Sequence, residues 1–207
     1  MVTLSHPQIK SFIKMVKEKC KENNVDLKLV RRKKIEVEPN IYAGGYFQDI
    51  SRKEGVLACA TNNPEYLNLL LHEFGHMEQW IENTPIWKDA EYVGEVDEWL
   101  SGKDVKNINE KIDKVKFMEL DCEKRAVKNI QKYNLPINQS EYIKKANSYI
   151  LFYTYLKQTR KWCKPGNAPF SLKNKSLWNI CPDKIMPKSY YNTIPPRILK
   201  QFIKNDI

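Results

Sequence analysis

Apolar residues return every three or four positions at Ile9, Phe12, Ile13 and Val16. That is the period of one helix face, so residues 6–23 are predicted to form an amphipathic helix, with Pro7 in its first turn and Asn23-Asn24 as its stop. From Val25 to Val37 the period changes to alternation, with Leu27, Leu29, Ile35 and Val37 apolar between charged neighbours, which predicts a half-buried strand or hairpin. Pro39-Asn40 ends it. Ile41 to Phe47 is a second strand candidate, in which Gly44-Gly45 signals a bulge or a close backbone approach. Gly55 to Ala60 is a short apolar strand. Asn63 as N-cap, Pro64 at the first helical position and Glu65 in the first turn then open a helix. On it Leu67, Leu70, Leu71, Phe74 and Ile81 are predicted to make the core face, opposite His72, Glu73 and His76. Residues 83–108 read as an acidic, partly irregular connection broken at Pro85, Gly94 and Gly102. Residues 109–133 and 139–162 are predicted as two long helices, the second rich in aromatic side chains. After Pro165-Gly166, prolines punctuate short aromatic and lysine-bearing pieces.

The pattern predicts an α+β fold, mainly helical, with a small sheet preceding the helix of residues 64–81. The expected organisation is a domain over 1–163. A basic, Pro/aromatic-rich tail over 164–207 would pack on that domain or form a small appendage.

Composition changes the picture in three ways. The chain has 207 residues, 42 % of them apolar, enough for one core. No apolar run approaches the roughly 20 residues of a membrane helix, and no basic segment followed by an apolar one marks a signal peptide. Five cysteines with no CxxC spacing argue for reduced thiols and against a disulfide framework or a cysteine-rich zinc site, although Cys163 and Cys181 make a conceivable second metal pair. Together these predict a cytoplasmic protein with no membrane partner. The net charge of +10 is concentrated: from Lys157 onward eleven basic residues face two acidic ones, whereas residues 80–123 carry twelve acids and six lysines.

The chemistry lies in His72-Glu73-Phe74-Gly75-His76, an HExxH motif. Four residues apart on a helix, the two imidazoles project from one face and can reach one metal ion. Glu73 stands beside them, placed to take a proton from water. Two histidines do not hold a catalytic zinc alone. The remaining histidine, His6, belongs to the first helix, and the position six past the motif holds Glu82, so a carboxylate must complete the set. The strongest segment is Met118 to Ala126, where Glu119 and Glu123 share one helix face. One could ligate while the other fixes a histidine through its free ring N–H. Glu95, Glu98 and Asp121 are rivals.

Over residues 41–130 the chain resembles the gluzincin metallopeptidases, which carry HExxH on one helix and a glutamate on a later one. The order of helix, strands, motif helix and glutamate helix also looks like the compact ImmA/IrrE-type and phage-encoded members. The resemblance implies a zincin-like fold and a zinc metalloendopeptidase acting on a peptide or protein substrate. It implies His72, His76 and Glu119 as zinc ligands, Glu73 as general base, and Glu123 in support of a histidine. Glu123 stands where larger gluzincins commonly have aspartate, and the connection from His76 to Glu119 is long. No oxyanion-stabilising residue is assigned; Tyr149 and Tyr153 are candidates that also suit a core. The Gly44-Gly45 strand is either an edge that pairs with an extended substrate or a bulge.

A different class of function stays open: a catalytically silent zincin-like module that binds nucleic acid or an acidic protein partner through residues 157–207. Lysines would meet phosphates there and Trp or Tyr would stack on bases. A solvated lysine-rich surface is the plainer reading of the same residues, which contain no recognisable nucleic-acid module.

Overall fold

The computed structural model describes residues 6–207 and is of the α+β class, with seven α-helices, a three-stranded sheet and a two-stranded sheet among them. The chain divides into two units. One comprises residues up to Thr84 together with Arg125–Ile137; the other comprises Pro85–Lys124 and Asn138–Ile207.

The first unit begins with helix α1 (Pro7–Glu22), which buries Ile9, Phe12, Val16 and Cys20, the helical stripe read from the sequence. Strands β1 (Val25–Val30), β2 (Ile35–Glu38), β3 (Ile41–Ala43), β4 (Gly45–Ser51) and β5 (Glu54–Ala60) follow. The main sheet has the order β1-β5-β4, with β1 parallel and β4 antiparallel to β5. As the central strand, β5 is buried from Gly55 to Ala60, and so it reads as an unbroken apolar run rather than an alternating one. Strands β2 and β3 pair separately as an antiparallel ribbon.

Helix α2 (Tyr66–Ile81) packs on β4 and β5 and buries Leu67, Leu70, Leu71, Phe74 and Met77. The ring of Phe74 meets Phe12 edge-on at 5.8 Å. The start of α2 differs from expectation. Asn63 does not cap the helix: its Oδ1 accepts from the backbone N–H of Glu65, and regular helix begins at Tyr66, so the Asn63-Pro64 pair makes a turn one step earlier.

The Gly44-Gly45 pair is a close approach. A Cβ on Gly44 would lie 2.5 Å from Leu69 Cδ1, and one on Gly45 would lie 3.0 Å from the Ala58 carbonyl oxygen and 3.3 Å from Glu73 Cγ. The two glycines let the motif helix sit against the backbone of β4.

The second unit is helical. Residues 83–108 are more regular than the sequence implied: a 3₁₀ turn at Trp87–Glu91 leads into helix α3 (Tyr92–Leu100). Gly94, expected to break structure, lies inside α3 facing open space, where its propensity cost of about 1 kcal/mol is outweighed by burial of Val96 on the same helix. Helix α4 (Ile108–Lys132) runs through this unit and enters the first at Arg125. Helix α5 (Gln139–Thr159) starts at an Asn138 cap that accepts from Glu141 N–H. It ends where Arg160 turns left-handed, φ 51°, with its guanidinium donating to the carbonyls of Trp99 and Lys103.

Residues 164–207 belong to this unit. They form two 3₁₀ turns and the short helices α6 (Lys175–Trp178) and α7 (Pro196–Lys204). Leu177, Tyr191, Ile198 and Phe202 are buried in one core with Ile112, Ile150, Phe152 and Leu156.

A polar knot fastens this segment. Lys116 is 1 % exposed, and its Nζ donates to Asp113 Oδ1 at 2.6 Å, Tyr191 O at 3.2 Å and Thr154 Oγ1 at 3.4 Å. Asn147 donates to the carbonyls of Pro182 and Lys184 and accepts from the Tyr191 hydroxyl. Among the described residues, no helix is long and apolar enough to cross a membrane.

Candidate metal centre

Helix α2 brings His72 and His76 together as their spacing requires, with ring centroids 4.8 Å apart and planes nearly perpendicular. The helix is buried more fully than a simple two-faced pattern implies: His76 is 8 % exposed, on the side predicted to face away from the core. Its Nδ1 lies 2.9 Å from Oε1 of Gln79, a wholly buried residue one turn further along. With Nδ1–H donating to that amide oxygen, the lone pair is placed on Nε2, the form in which imidazole binds a metal.

Glu73 is held from the sheet. Its Oε2 accepts the backbone N–H of Phe47 at 2.9 Å. Phe47 belongs to β4, the edge strand whose glycines admit α2, so the same close approach that seats the helix also orients the carboxylate. Burial pushes the neighbouring Cys59 thiol up to about 12, and the Glu73 charge adds to the effect. Cys59 is therefore a neutral thiol, donating to the Tyr66 carbonyl, and not a nucleophile.

Helix α4 is positioned against α2 within the first unit by two polar contacts. Arg125 pairs with Glu82 at 2.8 Å, and Asn129 donates to Glu78 at 3.1 Å. Burial raises the Glu78 pKa, an effect opposed by Asn129 and Arg125. Three residues before Arg125 on the same continuous helix is Cys122. The metal-binding atoms of His72, His76 and Cys122 all lie within 4.8 Å of one another. These are residue types that could hold a metal ion.

Cys122 was not among the predicted ligands, because no CxxC spacing marks it. The available signal was helical: it lies three residues after Glu119, on the face already singled out.

The predicted carboxylates are placed as follows. Glu119 and Glu123 are both buried on α4, at 7 % and 6 % exposure. Glu119 lies close enough to Tyr149 and Tyr153 that, after burial, its charge is the next cause holding both phenols well above their ordinary pKa. The two hydroxyls of that pair are 3.0 Å apart. Glu123 Oε2 accepts from the Tyr142 hydroxyl at 2.7 Å. Glu95 is ion-paired with Lys111, and Glu98 with Lys103. Asp121 is partly buried on α4. Cys163 and Cys181 are both free thiols, and neither joins the histidine group. Of the basic C-terminal segment, Trp162, Phe170 and Leu172 are exposed, whereas Trp178 and Tyr191 are core residues.

Comparison of the chain with protein-family models, with curated proteins and with solved structures finds no match.

Proposed function

We propose that the protein is a zinc-dependent metallopeptidase that hydrolyses peptide bonds in a peptide or protein substrate. The observation that carries this reading is the pairing of the His72 and His76 rings on one helix, with Glu73 beside them and held by the Phe47 N–H. The two histidines suit zinc: imidazole nitrogen is one of its common ligands, and the His76 ring is oriented by Gln79. His72 and His76 would hold the ion. The third donor would come from α4, which carries both Glu119, the residue implied by the gluzincin resemblance, and Cys122. Zinc bound there would supply Lewis acidity, making a water acidic near neutral pH and polarising the scissile carbonyl.

The chain's own part is proton transfer. Glu73 takes a proton from the attacking water at its carboxylate. The Phe47 N–H on Oε2 fixes the orientation of that carboxylate. The same proton is delivered to the amide nitrogen as the C–N bond breaks, so the leaving amine departs neutral and Glu73 is regenerated.

The test is Glu73→Gln. It should keep zinc in stoichiometric amount, measured by elemental analysis, and lower cleavage of a susceptible unfolded protein by roughly 10²–10⁴-fold. Undiminished cleavage by this variant would overturn the mechanism. A parent protein that holds zinc but cleaves nothing would favour the silent module acting through the basic C-terminal segment.

A further inference from the structure

We propose that the loop over residues 160–174 is a docking surface for an unpaired polynucleotide strand, on which Trp162 and Phe170 stack with bases while Lys161, Lys164 and Lys173 meet phosphates. The surface lies wholly within the second unit and is independent of the metal centre.

The loop is fixed before any ligand arrives. At its start Arg160, bonded to the carbonyls of Trp99 and Lys103, also lies over the Trp99 ring at 5.1 Å. In its middle the buried Asn167 amide donates to the carbonyls of Asn205 and Asp206. At its end the buried Asn174 amide donates to the carbonyls of Asn167 and Ala168, and the Trp178 indole N–H donates to the Ser171 carbonyl. A loop tied at both ends and in the middle has little ordering left to lose on binding.

This rigid loop keeps aromatic surface outside the core. Trp162 is 47 % exposed and Phe170 38 %. Rings of α5 brace each of them edge to face: Phe152 and Tyr153 meet Trp162 at 5.2 and 6.1 Å, and Tyr149 meets Phe170 at 5.5 Å. Rings held in this way can stack on a planar ligand without giving up rotamer freedom.

Charge selects the ligand. Lys161, Lys164 and Lys173 are exposed, and all three act on Asp206. A hydrogen bond from Lys164, with the charges of Lys161 and Lys173 behind it, holds the Asp206 carboxyl below its ordinary value. The Asp206 carboxylate thus faces three ammonium groups, which leaves a surplus of positive charge beside the two rings. The same sign continues along the chain, where eleven basic residues face two acidic ones from Lys157 onward. A polyanion complements that distribution, whereas a second copy of the surface would be repelled. Stacking requires open base faces, which a single strand offers and a duplex hides. A lipid surface would require side chains free to sink into the acyl boundary, and these rings are braced against the core.

The experiment is fluorescence anisotropy of the full chain with a labelled oligothymidylate of about twenty nucleotides. Saturable binding is expected, with an affinity that falls as salt rises. Trp162→Ala and Phe170→Ala should each weaken it roughly 5–100-fold. Lys161→Ala and Lys173→Ala should each make the plot of log affinity against log salt shallower by about 0.7. Asp206→Asn, which removes a carboxylate from among the lysines, should tighten binding. Misfolding does not mimic a gain, so that variant decides should the aromatic variants fail to fold by circular dichroism. Folded Trp162→Ala and Phe170→Ala proteins that bind like the parent would overturn the proposal, as would an equally tight grip on a duplex of the same length. Asp206→Asn that binds no more tightly than the parent would do the same. No binding at low salt, or a preference for phosphatidylserine vesicles or polyglutamate over the oligonucleotide, would also overturn it.

Discussion

The two units bury polar side chains in opposite ways. In the second, a cation is surrounded by acceptors: the Lys116 ammonium has a carboxylate, a hydroxyl and a carbonyl around it, and Asn147 matches donors with acceptors on the segment it holds. Each group finds its complement inside the protein, and the result is a fastening. On the motif helix the groups that converge are alike: two imidazoles, each able to offer a ring-nitrogen lone pair. Like donors brought together favour an ion that none of them supplies. What separates a structural polar interior from a chemical one is thus whether its members complement each other.

The comparison can be broken from either side. The largest effect is expected at Lys116. Lys116→Met keeps the volume but removes the charge from Asp113, Thr154 and Tyr191, and should cost about 3–5 kcal/mol in urea unfolding. It should leave zinc content per folded chain unchanged; a loss of zinc would show that the fastening and the metal centre are not independent.

Gln79→Ala should do the reverse. Freeing the ring of His76 should weaken zinc binding by roughly 10–100-fold, read by competition with a chromophoric chelator. Affinity equal to the parent's would mean that Gln79 does not orient the ligand.

Gly44→Ala tests the seating of α2 on β4. Its Cβ would meet Leu69 Cδ1 at 2.5 Å and Asn63 Nδ2 at 2.9 Å, and the strain should cost about 1–3 kcal/mol by thermal unfolding. An unchanged melting temperature would show that Leu69 yields freely.

The smallest effect is a pH dependence. Burial pushes the Asp113 carboxyl up, but the ammonium groups of Lys116 and Lys157 outweigh it and hold it below its ordinary value. A carboxyl whose pKa is lower folded than unfolded adds stability above about pH 4, and that stability is lost as pH falls through the folded value. Asp113→Asn should therefore flatten the acid limb of a urea-midpoint profile between about pH 4 and pH 2. An acid limb as steep as the parent's would assign that limb to other carboxyls.

Much of this was legible in the chain, and the rest failed for definite reasons. Periodicity located α1, α4 and α5 and the apolar strand β5 because each has a pattern internal to itself. The parallel pairing of β1 with β5 was not legible, since it joins residues thirty apart and leaves no local trace. Gly94 misled, because a glycine's cost in a helix is small beside burial of its neighbours. At the site, HExxH announced His72, Glu73 and His76. Gln79 and Cys122 went unnoticed because glutamine and an isolated cysteine are ordinary in composition and acquire meaning only when placed beside an imidazole.

The discontinuity of the first unit bears on how the molecule is made. Its last part, Arg125–Ile137, is separated from its first by forty residues that belong elsewhere, and Tyr133 completes the ring cluster around Phe12 while Asn129 meets Glu78. A nascent chain that has emerged only as far as Thr84 carries the HExxH helix but lacks the helix that covers it. Closing so long a loop costs chain entropy that only late contacts return. During synthesis the two histidines therefore exist well before Arg125–Ile137, and the unit that holds them is closed only after the forty intervening residues have emerged.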